Sequence, residues 1–199
     1  MARKAKIVRK TKETDIQVEI DLDKKAGSRI STSIPFFDHM LELFAKHGFF
    51  QLMVKGKGDT HIDDHHLVED MGICLGQALG KALGKKTGIS RYGSACVPMD
   101  ECLCRVDLDI SGRPYLIYNV KYARRKIGGF DPALIKEFFK AFTDHSGITL
   151  HINLLYGNNS HHIIEAVFKA FARALRKAVN KNKNISGVLS TKGSIEKAR

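Results

Sequence analysis

The chain has 199 residues and a formal net charge of +12 at pH 7. Its length fits one large domain or two small fused ones, and its 43% hydrophobic and 27% charged content is typical of globular proteins. No apolar run approaches the roughly 18 residues that a membrane span needs, and the basic N-terminus lacks the apolar core of a secretory signal. The sequence therefore predicts a cytoplasmic protein.

Alternating and helical patterns predict two similar series of elements. In the first half they predict strands at 15–23, 29–33 and 49–55, and helices at 36–46 and 64–84. In the second half they predict strands at 103–110, 116–122 and 148–155, and helices at 132–143 and 161–180. Much of the basic charge lies in the first twelve residues and in 173–197, and we interpret it as a solvated face or tail.

Two local patterns add to this reading. Within the predicted helix 64–84, glycines recur at every fourth position, namely Gly72, Gly76, Gly80 and Gly84. This spacing predicts that another backbone packs closely against the helix. The four cysteines show no metal-binding spacing, and we interpret them as reduced core thiols.

The series repeats because the chain contains an internal duplication. A shift of 96 residues aligns the segments that follow His65 and His161, and a shift of 100 aligns Ser90 with Ser190. A shift of 98 aligns His47 with His145, whereas the offset near the strands is about 88. The sequence therefore predicts two repeats, 1–97 and 98–199.

One motif, His-His-x-x-Glu, occurs at the start of the last predicted helix of each repeat. It comprises His65, His66 and Glu69 in the first repeat and His161, His162 and Glu165 in the second. Residues four apart share a helix face, so the first His and the Glu of each motif can bind one ion. The adjacent histidine points about 100° away and can reach a second ion. A single such pair is usually a cap or surface feature, but two copies favour a site for Mn, Fe, Zn or Ni.

The duplication suggests further ligands on the middle helix of each repeat. Under the shift of 98, His39 falls on Glu137, and both residue types can bind a divalent metal. The alternative for Glu137 is a solvent-exposed helix glutamate.

These segments carry a resemblance to a known family. The relevant motifs are Phe37-Asp38-His39-Met40-Leu41, Asp64-His65-His66-x-x-Glu69-Asp70, Asn159-x-His161-His162-x-x-Glu165-Ala166, Arg9-x-Thr11-x-Glu13-Thr14 and Ser190-Thr191-Lys192-Gly193. In these motifs the chain resembles the imidazoleglycerol-phosphate dehydratases along essentially its whole length. The resemblance implies an α+β fold of two duplicated repeats, each a four-stranded mixed β-sheet packed with two α-helices (ribosomal protein S5 domain 2-like). It also implies a homo-oligomer of 24 subunits.

The resemblance further implies two Mn²⁺ ions per active site, with ligands from more than one subunit. Carried over by position, one ion takes His39, His66, His161 and Glu165. The other takes His65, Glu69, His162 and the residue at Glu137, where several relatives have histidine. A second departure is Leu43, where some members have a glutamine that contacts substrate.

The implied reaction is the dehydration of D-erythro-imidazole glycerol phosphate to imidazole acetol phosphate in histidine biosynthesis. No carbonyl group acidifies the C–H bond that must be broken in the glycerol chain. The imidazole ring of the substrate must therefore supply electrons, as an imidazolate intermediate stabilised by the two manganese ions. Glu13 is the candidate base, and the alternative is a solvated residue at a strand edge. His47 is a candidate for assisting proton transfer or loss of the hydroxyl, and the alternative is a helix C-cap.

The resemblance implies that the substrate is held by Glu13, His39 and His47 and by a set of cations and hydroxyls in turns. Arginine can hold a phosphate through two parallel hydrogen bonds, and hydroxyls add donors. The phosphate-binding set is Arg91, Arg113, Ser190, Thr191 and Lys192. Taken singly, each cation could be an exposed turn residue.

Two other classes of function compete with the dehydratase. A two-metal phosphoesterase is one, but such sites tend to use more aspartate than this histidine-rich set. A nucleic-acid-binding protein is the other, but the aromatic residues do not interleave with the basic ones as a base-stacking surface needs. We expect a small-molecule substrate, and neither nucleic acid nor a membrane as partner.

Overall fold

A computed structural model describes residues 2–123 and 126–196. In chain order its elements are β1 (Lys4–Lys10), β2 (Thr14–Asp21), β3 (Arg29–Ser31), α1 (Pro35–Gly48), β4 (Gln51–Gly58), α2 (His65–Leu83), β5 (Tyr92–Met99), β6 (Cys102–Asp109), β7 (Tyr115–Asn119), α3 (Leu134–Ser146), β8 (Thr149–Tyr156) and α4 (Ser160–Val179). None of the helices described there is long and apolar enough to cross a membrane.

The strands form two four-stranded sheets of the same topology. Their orders are β1-β2-β4-β3 and β5-β6-β8-β7, and only the last pair of each, β3 with β4 and β7 with β8, is parallel. In β2 and β6 every second residue is buried, because one face of each sheet packs on helices and the other meets solvent. The predicted α+β fold with two duplicated, mixed four-stranded sheets is confirmed.

The two halves exchange their middle helices. Helix α2 packs on β1 and β2 of the first sheet and α3 packs against α2, whereas α4 packs on the second sheet and α1 packs against α4. Aromatic contacts cross between the halves: Phe44 of α1 stacks on Phe171 at 5.4 Å, and Phe37 meets Phe138 edge-on at 5.3 Å. One continuous core therefore joins the repeats, and side chains from both halves meet at the helix ends.

Two strands escaped the sequence-based prediction. Residues 4–10 are not a tail: they form β1, which pairs with β2 along its whole length and buries Ile7. Its exposed positions are Lys4, Lys6, Val8 and Lys10, and the sequence hides this period-two pattern because Val8 faces outward while Arg9 is half-buried. The other missed strand is β5, which pairs with β6. The second sheet thus begins at Tyr92, inside the predicted first repeat, and the division at residue 97 stays a prediction.

The glycine prediction holds for two positions. A Cβ added at Gly72 would lie 2.5 Å from the backbone oxygen of Phe138, and one at Gly76 would lie 2.6 Å from that of Phe142. Helix α3 therefore lies directly against α2, and the two run parallel. At Gly80 the nearest atom is 3.9 Å away, and Gly84 ends the helix with a φ of 52°. Of the four cysteines, Cys96 is exposed on β5, so the core reading was wrong for that thiol.

Candidate metal centre and phosphate pocket

Both motif helices begin with the same local device. The Asp63 carboxylate accepts a hydrogen bond from the backbone N–H of His65 at 2.8 Å, and the Asn159 side chain accepts one from that of His161 at 3.0 Å. Asp63 and Asn159 are themselves 96 residues apart. These contacts fix the first turn of each helix, so each His-His pair lies at a helix N-terminus.

Helices α1 and α4 bring three possible metal ligands together. His39 Nε2 lies 3.1 Å from Glu165 Oε1, and His161 Nε2 lies 3.0 Å from the same oxygen. All three donor atoms lie within 4.8 Å of one another. Two donors bound at about 2.1 Å and at right angles to one ion would be about 3.0 Å apart. Two imidazoles and a carboxylate at this spacing fit a divalent transition metal.

Glu165 forms a salt bridge with Lys169, which the sequence analysis missed. Its second carboxylate oxygen, Oε2, accepts a hydrogen bond from Lys169 Nζ at 2.5 Å, and both side chains are largely buried. Burial alone would raise the pKa of Glu165, but hydrogen bonds from Lys169, His39 and His161 lower it to about 2. The signal was present, because Lys169 follows Glu165 by four residues on one helix face.

The equivalent ligands of the first repeat remain apart. His65 Nε2 is 3.8 Å from Glu69 Oε2, and the two side chains are 43% and 48% exposed. Glu137 lies half-buried in the first turn of α3, one residue before the Phe138 that contacts Gly72. Glu137 is therefore near the level of Glu69. Within residues 2–123 and 126–196, however, the one compact group of three donors is that of His39, His161 and Glu165.

The second histidine of each motif faces a carboxylate on a neighbouring turn. His66 Nδ1 lies 3.0 Å from Asp59 Oδ2, and His162 Nδ1 lies 2.7 Å from Glu101 Oε2. These hydrogen bonds raise the pKa of each imidazole. Neither histidine joins the compact group in the same chain. The sequence analysis missed Asp59 and Glu101, although the shift of 88 would have placed Glu13 on Glu101.

The turn between β1 and β2 positions Glu13. Thr11 Oγ1 accepts the N–H groups of Glu13 and Thr14, at 3.1 and 2.9 Å, and the Thr14 hydroxyl donates to the buried Asp70 at 2.5 Å. The backbone oxygen of Glu13 accepts from the N–H of Asp59 at 3.1 Å. Glu13 itself is exposed, and after the Asp59 hydrogen bond its charge helps to raise the pKa of His66. The candidate base therefore lies beside the first His-His-x-x-Glu motif.

His47 lies near the end of α1, opposite the basic side of α4. Burial lowers the pKa of its imidazole, and the positive charges of Lys169 and Arg173 lower it further. Its ring is therefore neutral at neutral pH. The left-handed residue that follows the helix is Phe49, whose N–H bonds the carbonyls of the last turn.

The five predicted phosphate ligands line one pocket of about 510 Å³, together with Tyr92 and Leu189. Arg91 has a left-handed φ of 68°, and its guanidinium is fixed by Asp109 at 2.7 and 3.0 Å. These five residues lie in three separate turns: Arg91 in the first, Arg113 in the second, and Ser190, Thr191 and Lys192 in the third. Three cations and two hydroxyls around one opening suit a phosphate.

This pocket and the compact donor group lie at opposite ends of α4. The N–H of Arg91 donates to the backbone oxygen of Ala178 at 2.9 Å, near the C-terminus of the helix. From Glu165 to Ala178 the helix rises by about 20 Å. The expected substrate, imidazole glycerol phosphate, consists of one five-membered ring, three carbons and a phosphate, and it is shorter than this distance. A single substrate molecule therefore cannot contact both sites of one chain.

Known proteins match this chain over nearly its full length. The family model described as Imidazoleglycerol-phosphate dehydratase matches residues 32–175. A relative of that name from Syntrophus aciditrophicus is 66% identical, with 97% of this chain and 98% of the relative covered. One from Citrifermentans bemidjiense is 56% identical, with 98% and 100% covered.

Solved structures agree with the sequence matches. The imidazoleglycerol-phosphate dehydratase of Staphylococcus aureus superposes with a TM-score of 0.83 at 41% identity, covering 90% of this chain and 99% of that one. The Pyrococcus furiosus enzyme gives 0.82 at 39% identity, covering 94% and 99%. The chain therefore belongs to the imidazoleglycerol-phosphate dehydratase family, a family of hydro-lyases.

Proposed function

We propose that this chain dehydrates D-erythro-imidazole glycerol phosphate to imidazole acetol phosphate, in the cytoplasm, as a step of histidine biosynthesis. Family membership supports the reaction. The observation that carries the proposal is the pairing of a transition-metal donor group, His39, His161 and Glu165, with a pocket suited to phosphate. The first suits the imidazole end of the substrate and the second its phosphate end.

Two Mn²⁺ ions per active site form the metal part of the proposal. One would be held by the compact group together with His66, and the other by His65, Glu69, Glu137 and His162. Divalent ions held by these residues would supply Lewis acidity that stabilises negative charge on the substrate's imidazole ring. The 3.0–3.1 Å spacing within the compact group supports the first site. The second rests on the repeat symmetry.

The protein groups then have distinct tasks. Glu13, held by the Thr11 turn, would accept the proton from the glycerol carbon, since its exposed carboxylate can reach an approaching substrate. His47, with its neutral ring, would assist proton transfer during loss of the hydroxyl. Arg91, Arg113 and Lys192, with the hydroxyls of Ser190 and Thr191, would hold the phosphate.

The assembly is part of the same proposal. About 20 Å of helix separates the donor group of one chain from its phosphate pocket. Each active site would therefore combine the donor group of one subunit with the pocket of another, and His66 and His162 would complete metal sites on neighbours. This supports a homo-oligomer, which we propose has 24 subunits as in the family.

Activity and metal content test this proposal together. The purified protein should convert imidazole glycerol phosphate to imidazole acetol phosphate, lose activity on chelation and regain it with Mn²⁺. Sedimentation before and after chelation should show that metal stabilises the assembly. Full activity in metal-stripped protein would contradict the metal part, and absence of product from metal-loaded protein would contradict the reaction.

Two variants separate base from phosphate ligand. Glu13→Gln keeps the size of the side chain but cannot accept a proton, so kcat should collapse while metal content stays normal. Lys192→Ala removes a contact present in both ground and transition states, so KM should rise by about 10- to 150-fold, the equivalent of one charge-assisted hydrogen bond. Near-normal turnover in Glu13→Gln would remove Glu13 from the mechanism.

A further inference from the structure

Two carboxylates outside the proposed ligand set contact His66 and His162, the motif histidines that stand outside the compact donor group among the described residues. Asp59 lies in the turn after β4, and its side chain is 14% exposed. Its carboxylate contacts His66 Nδ1 with both oxygens, at 3.0 and 3.2 Å. Glu101 lies in the turn between β5 and β6, and its Oε2 contacts His162 Nδ1 at 2.7 Å.

Both contacts use the same ring nitrogen. A carboxylate accepts, so each imidazole carries a proton on Nδ1, and in the neutral form of the ring the lone pair is on Nε2. His39 and His161 instead contact a carboxylate, that of Glu165, through Nε2, so in the metal-free protein that nitrogen carries the proton. His66 and His162 therefore share the opposite arrangement, with Nδ1 bonded to the carboxylate.

The turns that carry these carboxylates are themselves fixed. The N–H of Asp59 donates to the backbone oxygen of Glu13 at 3.1 Å, and the carbonyl of Asp59 accepts from Ile62 at 2.8 Å. Glu101 Oε1 accepts from the N–H of Asn159 at 2.9 Å, which joins the β5–β6 turn to the start of α4. A carboxylate held in this way restricts the ring that it contacts.

The duplication does not account for this similarity. The shift of 96 that aligns the two motifs carries Asp59 onto Leu155, and the shift of 88 carries Glu101 back onto Glu13. Each half therefore supplies its carboxylate from a different element. The same contact reached from two different positions indicates a requirement of the histidines rather than a remnant of the repeat.

We propose that Asp59 and Glu101 are positioning residues for the metal centres. Each accepts the Nδ1–H of His66 or His162 and holds its Nε2 lone pair ready for an ion. The inference rests on the proposed function, in which these two histidines are ligands. A carboxylate on the far nitrogen of a ligating histidine fixes its tautomer and ring orientation and makes it a stronger ligand.

Mn²⁺ affinity tests the inference without reference to activity. Free Mn²⁺ can be measured by electron paramagnetic resonance as metal-stripped protein is titrated with Mn²⁺. Asp59→Asn should lower the affinity for one of the two ions by about 10- to 100-fold, the usual cost of losing such a partner. Glu101→Gln should lower the affinity for the other ion by a similar factor. Asp144→Asn makes the same charge change on an exposed α3 residue paired with Lys140, and it should bind like wild type.

The pattern across variants separates positioning from general damage. Since the two carboxylates serve different ions, each single variant should leave one ion at wild-type affinity, and the double variant should weaken both. Asp59→Glu and Glu101→Asp keep the charge and should recover part of the lost affinity. Weakening of both ions in each single variant would overturn the inference in favour of a structural role.

The remaining outcomes distinguish this inference from the proposed function. If wild-type protein binds two Mn²⁺ ions and both variants bind them equally well, the positioning role is wrong and the metal proposal stands. If wild-type protein binds no Mn²⁺, both fall. If metal binding follows the expected pattern but no imidazole acetol phosphate forms, the reaction is wrong and the positioning role stands.

Discussion

The two His-His-x-x-Glu helices begin alike and end in different surroundings. At the start of α4, Glu165 is 8% exposed and in contact with two histidines and a lysine. At the start of α2, Glu69 is about half exposed and 3.8 Å from His65. The same motif on the same backbone turn therefore gives a preformed donor group in one half and an open one in the other.

Two substitutions between the repeats explain much of this difference. The position of Lys169 is occupied by Ile73 in α2, so Glu69 has no cation one turn further along the helix. The position of His39 is occupied by Glu137, and a carboxylate cannot donate a hydrogen bond to Glu69 as His39 does to Glu165. The protein itself therefore organises the α4 group, whereas it leaves the α2 group open.

The packing of the motif helices differs at two further positions. Gly72 and Gly76 let α3 approach the backbone of α2, whereas the equivalent positions in α4 are Phe168 and Ala172, both buried. Helix α1 is therefore held by side chains, among them the Phe44–Phe171 stack. A duplicated fold can thus keep its topology while each copy of the helix pair uses different contacts.

The largest expected contrast comes from removing each motif glutamate in metal-free protein. Glu165→Gln leaves Lys169 buried without its partner and should lower the free energy of unfolding by about 3 kcal/mol, the low end for a broken buried pair. Glu69→Gln, at an exposed position, should change it by no more than about 0.5 kcal/mol. Urea unfolding at one fixed protein concentration measures both. Equal losses would contradict the difference in organisation.

The next effect tests the close approach of α2 and α3. Gly72→Ala places a Cβ against the backbone of Phe138 and should lower stability by about 1–3 kcal/mol through overpacking. Gly80→Ala, with 3.9 Å of space, should instead raise it by up to about 1 kcal/mol, because alanine favours the helix. Thermal unfolding of the Gly72→Ala and Gly80→Ala variants measures both changes in stability. A stabilising Gly72→Ala would show that the helices can separate at little cost.

A smaller effect depends on pH and belongs to the α1–α4 pair. Because the folded-state pKa of His47 lies below its ordinary value of 6.5, the unfolded state binds this proton more readily. Stability from the neutral ring is present above pH 6.5 and is lost as pH falls below it. His47→Gln should lack this component of the loss. If the stability difference between the two proteins stays constant from pH 7.5 to 5.5, the pKa is not lowered.

The smallest effect tests whether a lysine alone organises a motif glutamate. Ile73→Lys recreates in α2 the spacing of Glu165 and Lys169. An i,i+4 ion pair on a helix is worth about 0.3–0.5 kcal/mol, so stability should rise slightly at low salt and less at high salt. Chemical unfolding at two ionic strengths measures it, and Ile73→Met is the uncharged control. A gain that is the same at both ionic strengths would not come from the ion pair.

The sequence by itself determined the repeat, the helices and the chemistry of the donors. Periodicity shows which face of α4 carries His161 and Glu165, because both residues lie within one turn of one helix. The shift of 98 identifies His39 and Glu137 as equivalent positions. These conclusions need no tertiary structure, because each depends only on the spacing of residues along the chain. The edge strand β1 was missed because its three lysines and one arginine resemble a solvated tail.

Tertiary structure decided which groups meet. The contact of His39 with Glu165 exists because α1 of one half packs on α4 of the other, an exchange that no local pattern encodes. Asp59 reaches His66 and Glu101 reaches His162 through turns of separate sheets. The length of α4 separates the phosphate pocket from the donor group. These relations depend on how a shared core is packed, and packing is set by contacts between residues far apart in the chain.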